Sequence, residues 1–323
     1  MPGDRTKTLG WIGAGRMGVV LAERLLRAGA DLSVYNRTKA KATPLEALGA
    51  KLVDAPVDLA DRDIVVTMIG STKDLEEVID GPAGLFSGTG SGPGLLVDCS
   101  TISIEGSERV RGRALEVGTP MLAAPVSGNP KVARNGMLTI VASGPRAAFE
   151  EALPYLRILG RGVSYVGEGE AARLVKIAHN LMLGVVAQCL AEITVLAERG
   201  GVSRADLLAF LNDSVMGSTF TRYKTPALVN LDFHPTFTGH LLRKDFEVGL
   251  EAGRALDVPL PVTALVHQIL IDLVGRGYGD EDFATLILLE AANAGIDLTS
   301  EDVVVDDGLH PIDDIARAVA KDP

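Results

Sequence analysis

Aromatic residues are scarce in this 323-residue chain, at 4%, so any core must be assembled mainly from Ala, Val, Leu and Ile. Cysteine is nearly absent. The two thiols, Cys99 and Cys189, stand in apolar segments and suggest no disulfide framework, which fits a reducing compartment and a cytoplasmic setting. No basic cluster accompanies the formal charge of −11, which argues against nucleic acid as the main partner. The opening Met-Pro-Gly-Asp-Arg-Thr-Lys has no apolar stretch after its charges and does not read as a secretory signal. The remaining histidines (His179 aside), His234, His240, His267 and His310, show no ligand spacing, so no metal site is expected.

One run, residues 180–197, is apolar enough to suggest a membrane span. Gln188 and Glu192 near its middle would be costly in hydrocarbon, so a buried helix is expected and no membrane partner.

The length exceeds what one hydrophobic core usually serves, and two domains are expected, 1–166 and 167–323. Up to residue 166, β-rich runs alternate with helical patterns, as in a parallel sheet covered by helices. Strands are predicted over 8–12, 32–35, 64–69, 95–99, 121–126, 138–142 and 163–166. Helices are predicted over 17–28, 71–79 and 104–117. Several strands are continuous apolar runs, as expected for burial on both faces. After Gly167-Glu168-Gly169 the pattern turns helical. Residues 170–199 form one run without Pro, roughly 45 Å long as a helix and able to join two domains. Further helices are predicted over 204–211, 241–256, 262–275 and 280–294. The acidic remainder, with Val303–Val305 as its one apolar run, has no clear pattern.

The predicted first strand leads into Gly13-Ala14-Gly15-Arg16-Met17-Gly18, a G-x-G-x-x-G opening a helix. Gly13 allows the tight turn, Gly15 lets the backbone approach a pyrophosphate, and Gly18 permits helix to pack on strand. The helix N-terminus then offers N–H groups and a positive dipole end. Such a motif alone is weak, but a strand before, a helix after and a second strand about 20 residues on supply its context. That second strand ends in Asn36-Arg37-Thr38. An NAD enzyme usually carries an acid there for the ribose 2′-hydroxyl. A guanidinium and a hydroxyl suit a 2′-phosphate, so NADP is favoured over NAD and over a plain surface arginine.

Lys176 and Asn180 stand at i and i+4 on the long helix, with His179 beside them and Ala172 one turn earlier. A lysine among apolar neighbours there suits proton transfer to or from an alcohol oxygen. It equally suits a snorkelling side chain packed on the core, and spacing leaves both readings open.

The order of motifs resembles the β-hydroxyacid dehydrogenase family, which includes 3-hydroxyisobutyrate dehydrogenase and the tartronate semialdehyde and glyoxylate/succinic semialdehyde reductases. The resemblance rests on Gly13-x-Gly15-x-Met17-Gly18, Asp98-Cys99-Ser100-Thr101-Ile102-Ser103, Ala124-Pro125-Val126-Ser127-Gly128, Gly167-x-Gly169 with Lys176 and Asn180, and Lys244-Asp245. It implies a Rossmann-like N-terminal domain, a long interdomain helix and an all-α C-terminal domain. It also implies oxidation or reduction of a small acid by a nicotinamide cofactor, and a homo-oligomer, dimer or tetramer. Lys176 matches the catalytic lysine. Ser127 and Gly128 match the loop that binds the substrate carboxylate, and Asn180 a substrate-contacting asparagine. Thr101 lies where cofactor and substrate are touched, Ile69-Gly70 near the cofactor, and Lys244 at a lysine that reaches it.

Two departures bear on the substrate. Asn129 replaces a glycine, and as a residue tolerant of left-handed backbone it is expected to preserve the loop and add a polar contact. His179 replaces an asparagine and is read as structural. Competing functions are C=N reduction by an imine reductase, against which Lys176 argues, and a non-catalytic dinucleotide sensor, which need not keep Lys176, Ser127 and Asn180 together.

Overall fold

The computed structural model describes residues 7–88, 90 and 92–309. The opening segment through Thr6, and His310 with the residues after it, lie outside them. The described residues fall into two compact units that divide inside a helix, one reaching to Lys176 and the other starting at Ile177.

In the first unit, β1 (Thr8–Ile12) is followed by α1 (Arg16–Arg27), β2 (Asp31–Tyr35), α2 (Thr43–Glu46) and β3 (Lys51–Leu52). Then come β4 (Ile64–Thr67), α3 (Thr72–Asp80), β5 (Leu95–Asp98), α4 (Ile104–Glu116) and β6 (Met121–Ala123). Among the described residues these strands form one six-stranded sheet in the order β3-β2-β1-β4-β5-β6. Every pairing in it is parallel, Gly10 lying opposite Ser33 on one side and Val65 on the other. Strand order reverses between β1 and β4, so the crevice beyond their carboxyl ends is the ligand position of a doubly wound fold. Continuous apolar strands are buried on both faces, as β4 and β5 are throughout. Leu75 and Ile79 of α3 and Val110 and Ala114 of α4 close one face over Val65 and Leu96. Ser71 and Ser103 cap α3 and α4, accepting from Asp74 N and Gly106 N.

The predicted strand over 121–126 divides in two. After β6 the chain leaves the sheet and forms β7 (Val126–Ser127), α5 (Pro130–Arg134), β8 (Thr139–Ala142), α6 (Arg146–Leu159) and β9 (Gly162–Tyr165). Strand β7 runs antiparallel to β8, and β8 parallel to β9. One bridge, Ala123 to Ser143, ties this small sheet to the large one. The helix α6 has Pro154 inside it, which obscures its periodicity in the sequence.

The long helix, α7 (Ala171–Arg199), starts in the first unit and continues into the second. By length and composition it is apolar enough to cross a membrane, and half of its most apolar window is buried inside the protein. Near its middle Gln188 Nε2 donates to Glu192 at 2.9 Å and to Glu290 at 3.3 Å. Cys189 is exposed on this helix and not in a core, whereas Cys99 is buried and its thiol pushed up by burial.

The second unit adds α8 (Arg204–Asp213), α9 (Thr219–Asn230), α10 (Gly239–Ala255), α11 (Pro261–Gly275) and α12 (Leu286–Asn293). Pro226 inside α9 hides that helix in the sequence as Pro154 hides α6. Gly184 of α7 lies against Phe246, and Gly249 of α10 against Leu181. A Cβ at either glycine would fall within 2.5 Å of the opposing side chain. Asp282 organises the loop before α12. It accepts from Lys224 Nζ, from Thr236 N and Oγ1, and from Ala284 N. Burial pushes the Lys224 ammonium down, and the charge and hydrogen bond of Asp282 oppose that shift. Asp282→Ala leaves that cation buried without its carboxylate, so urea unfolding is expected to show a loss of about 3–5 kcal/mol. A loss under about 1 kcal/mol contradicts this account.

Candidate active site

The glycine turn is built as its spacing predicts. Gly13 has φ +105° and donates its N–H to Tyr35 O at 2.9 Å. A Cβ there would fall 2.3 Å from Met68 O, and one on Gly18 would fall 1.9 Å from Gly13 O. Gly18 is therefore what lets α1 start this close to β1. Trp11, wholly buried, locks the turn from beneath, its Nε1 donating to Gly13 O at 2.8 Å. Gly15 differs: a Cβ on it would meet nothing within 4 Å. The absent side chain leaves open space at the helix N-terminus, where no side chain caps α1 and its first turn has no acid. A pyrophosphate fits those features.

Beside the turn lies a cavity of about 480 Å³. Of the residues expected at a cofactor, Gly13, Gly15, Asn36, Arg37, Thr38, Ile69 and Gly70 line it. Ala14, Arg16, Met17 and Gly18 form the turn and the first turn of α1. Asn36 has a role that its spacing did not announce. Its Oδ1 accepts from Ala14 N at 2.8 Å and its Nδ2 donates to Thr38 O at 2.7 Å, so it braces both walls. Arg37 and Thr38 follow it along the same cavity wall. Sequence reading missed three charged residues in the same cavity, Lys41, Asp74 and Glu77. Lys41 had a signal, a second cation on the 3-10 turn over Lys39–Lys41 that follows Arg37. Asp74 had none, since only the fold brings α3 to Arg37.

At the carboxyl end of β5 stands a buried ion pair. Arg173, on the first turn of α7, donates to Asp98, and the two are 1% and 0% exposed. The guanidinium also donates to Ser100 O at 2.5 Å and to Ser107 Oγ at 3.1 Å. The other oxygen of Asp98 accepts from Thr67 Oγ1 and Ser100 Oγ, while Ser100 Oγ receives Ile69 N–H at 2.8 Å. Ends of β4 and β5, the loop that carries Thr101, and the start of α7 are thereby one hydrogen-bonded body. Ala172 N donates to Ser143 Oγ at 3.0 Å, and Glu170 pairs with Arg111 at 2.6 Å. Lys176, three residues after Arg173, is buried and its helix turn is fixed against the sheet.

Ser127 ends β7, and Gly128 follows with φ +133°, where a Cβ would fall 2.5 Å from Leu138 Cδ2. Asn129 is not left-handed as anticipated. It has φ −112° and caps α5, its Oδ1 accepting from Lys131 N and Val132 N. The loop survives the glycine replacement because the next helix needs a cap, which asparagine supplies.

The second unit holds its own cluster. Asn180 is buried and donates Nδ2 to Asp245 Oδ2 at 2.5 Å. The Oδ1 of Asn180 faces His179 Nδ1 at 3.0 Å, which requires the ring to donate there, and Lys244 Nζ lies 3.2 Å from Asp245. Asn180 and Asp245 thus orient one another, and His179 is tied to that pair. Among the described residues no group of three or more His, Cys, Asp or Glu has metal-binding geometry.

Turn, strand order and cavity together define a dinucleotide-binding fold. Residues 8–167 match the family model described as the NAD binding domain of 6-phosphogluconate dehydrogenase. Residues 169–289 match that described as NAD-binding of NADP-dependent 3-hydroxyisobutyrate dehydrogenase. The chain is 31% identical over 298 residues to 2-(hydroxymethyl)glutarate dehydrogenase of Eubacterium barkeri, covering 92% of this chain and 99% of that one. It is 29% identical over 291 residues to glyoxylate/succinic semialdehyde reductase 2, chloroplastic, of Arabidopsis thaliana, covering 90% and 81%. Among solved structures, 3-hydroxyisobutyrate dehydrogenase from Salmonella typhimurium superposes with a TM-score of 0.78 at 24% identity, covering 88% and 99%. The chain belongs to the β-hydroxyacid dehydrogenase family, oxidoreductases that use a nicotinamide dinucleotide.

Gly15→Ala is expected to leave thermal unfolding within about 1 °C of wild type, because its Cβ has room, yet to weaken dinucleotide binding at least tenfold by occupying the pyrophosphate position (about 1.4 kcal/mol). Gly18→Ala, which must push two backbone segments apart, is expected to cost about 3 kcal/mol of stability. Melting curves and calorimetric titration of both variants check the contrast, and equal behaviour in the two assays refutes it.

Proposed function

We propose that this protein is an NADP-dependent dehydrogenase or reductase acting on a small β-hydroxyacid or its semialdehyde, with Lys176 as the general acid/base. The observation that carries this reading is the fixing of Lys176 by the Asp98–Arg173 pair, a buried lysine one turn from a salt bridge that grips the sheet end beside the cofactor cavity. A core lysine serving packing alone has no need of such an anchor.

When bound, the nicotinamide dinucleotide supplies or receives the hydride at the substrate's carbonyl carbon. Lys176 gives a proton from Nζ to the carbonyl oxygen in reduction, and takes it from the hydroxyl in oxidation. Ser127, Gly128 and Asn129 hold the substrate carboxylate, using the Ser127 hydroxyl and backbone N–H groups. Thr101 positions substrate against cofactor, Asn180 contacts the substrate, and Lys244 reaches the cofactor. Preference for NADP is supported by Arg37, Thr38 and Lys41, which bring two cations and a hydroxyl to one cavity. A homo-oligomer is supported by apolar side chains left exposed in the second unit, Met182, Leu196, Phe210, Val215 and Met216 among them. Light scattering at micromolar concentration is expected to give at least twice the 33.9 kDa chain mass.

Lys176→Ala is expected to lower kcat by about 10²- to 10⁴-fold on the preferred acid while cofactor affinity stays within about twofold. Nicotinamide absorbance across a panel of β-hydroxyacids and semialdehydes, with both cofactors, measures it. Turnover at the wild-type rate refutes the proton-transfer role.

A further inference from the structure

Four charged side chains share the cavity beside β2: Arg37, Lys41, Asp74 and Glu77. Two cations suit a 2′-phosphate and two carboxylates oppose it, so counting charges does not set the preference. Contact geometry does. Arg37 Nη1 donates to Asp74 Oδ1 at 2.9 Å. The other oxygen of Asp74 accepts from Ser71 Oγ at 2.8 Å, and Asp74 N donates to Ser71 Oγ at 3.2 Å. Its carboxylate is therefore fixed to the first turn of α3. The Ser71 hydrogen bond, then Arg37 and the neighbouring Lys73, hold it below the usual carboxylate range against the opposing effect of burial. Arg37 is the movable partner, with a side chain 74% exposed on a loop.

We propose that Asp74 is a specificity-determining residue that restrains the preference for a 2′-phosphorylated cofactor. Resting on the NADP reading above, this identifies what limits it. A 2′-phosphate must draw the guanidinium from a carboxylate that cannot follow, and must then sit beside that carboxylate's charge. A ribose bearing a free 2′-hydroxyl does neither. An exposed ion pair and a screened like-charge contact each shift an equilibrium by about two- to fivefold. The phosphate's two negative charges make repulsion outweigh whatever Asp74 contributes by holding Arg37 in place.

Calorimetric titration of the full chain with adenosine 2′,5′-bisphosphate and with AMP separates this effect from substrate and hydride chemistry. Asp74→Asn keeps the size of the side chain and an oxygen for Ser71. It is expected to tighten the bisphosphate about fivefold and to move AMP by less than about twofold, and the gain shrinks as salt rises from roughly 50 to 500 mM. Bisphosphate affinity that is unchanged or weaker overturns the proposal. Arg37→Ala, titrated alongside, distinguishes the two failures. If Arg37→Ala abolishes the preference for the bisphosphate while Asp74→Asn leaves it unaltered, the cofactor reading stands and the role of Asp74 falls. If neither variant shifts the preference, the cofactor reading falls with it.

Discussion

The first unit depends on one buried ion pair. Taking Arg173 and Asp98 out of water is costly, and their attraction offsets that cost only because the remaining donors and acceptors are used. Thr67, Ser100 and Ser107 complete the set. Replacing both partners by apolar residues would leave a hydrophobic plug of similar volume, and could even be more stable. The directions would be lost. A guanidinium accepts one orientation for its fork, so the first turn of α7 can neither roll nor slide against the end of β5. What the pair fixes is the helix turn that carries Lys176, three residues further along.

The glycine turn works by the complementary principle, through atoms left out. Gly13 and Gly18 are filled around so tightly that their missing side chains serve the protein's own packing. Gly15 is the one left with open space. A motif that looks uniform in sequence thus separates into two structural glycines and one kept for a ligand.

Much of this was legible in the chain. Continuous apolar strands, the spacing of the glycines and the long unbroken run through Lys176 each follow from periodicity and backbone sterics, and the fold follows from their order. Legibility failed where a local rule was overridden by packing. Helices α6 and α9 carry an internal proline, which works against a helical reading of either segment. The run over 121–126 holds a local mark that its apolar character outweighed: Pro125, which has no N–H for a ladder, stands where the chain leaves one sheet for the other. At the site, Arg37 was visible because it is sequence-adjacent to a predicted strand end. Asp74 was invisible, as its meaning lies in a contact 37 positions away. Asn129 was seen but misread: left-handed tolerance was the wrong property of asparagine, and helix capping the right one.

Asn36 carries a consequence for how cofactor use can evolve in this chain. Aspartate is the familiar residue at that position in enzymes that hold the ribose hydroxyls. Here the amide nitrogen donates to Thr38 O while the amide oxygen receives Ala14 N–H. Aspartate would keep the second bond but set an acceptor against an acceptor in the first, so the turn would lose one of its two struts. An acid at this position would therefore loosen the turn beside the cavity. Arg37 and Lys41 face the same cavity without bracing the turn, so a change of charge at either leaves the turn's own hydrogen bonds intact.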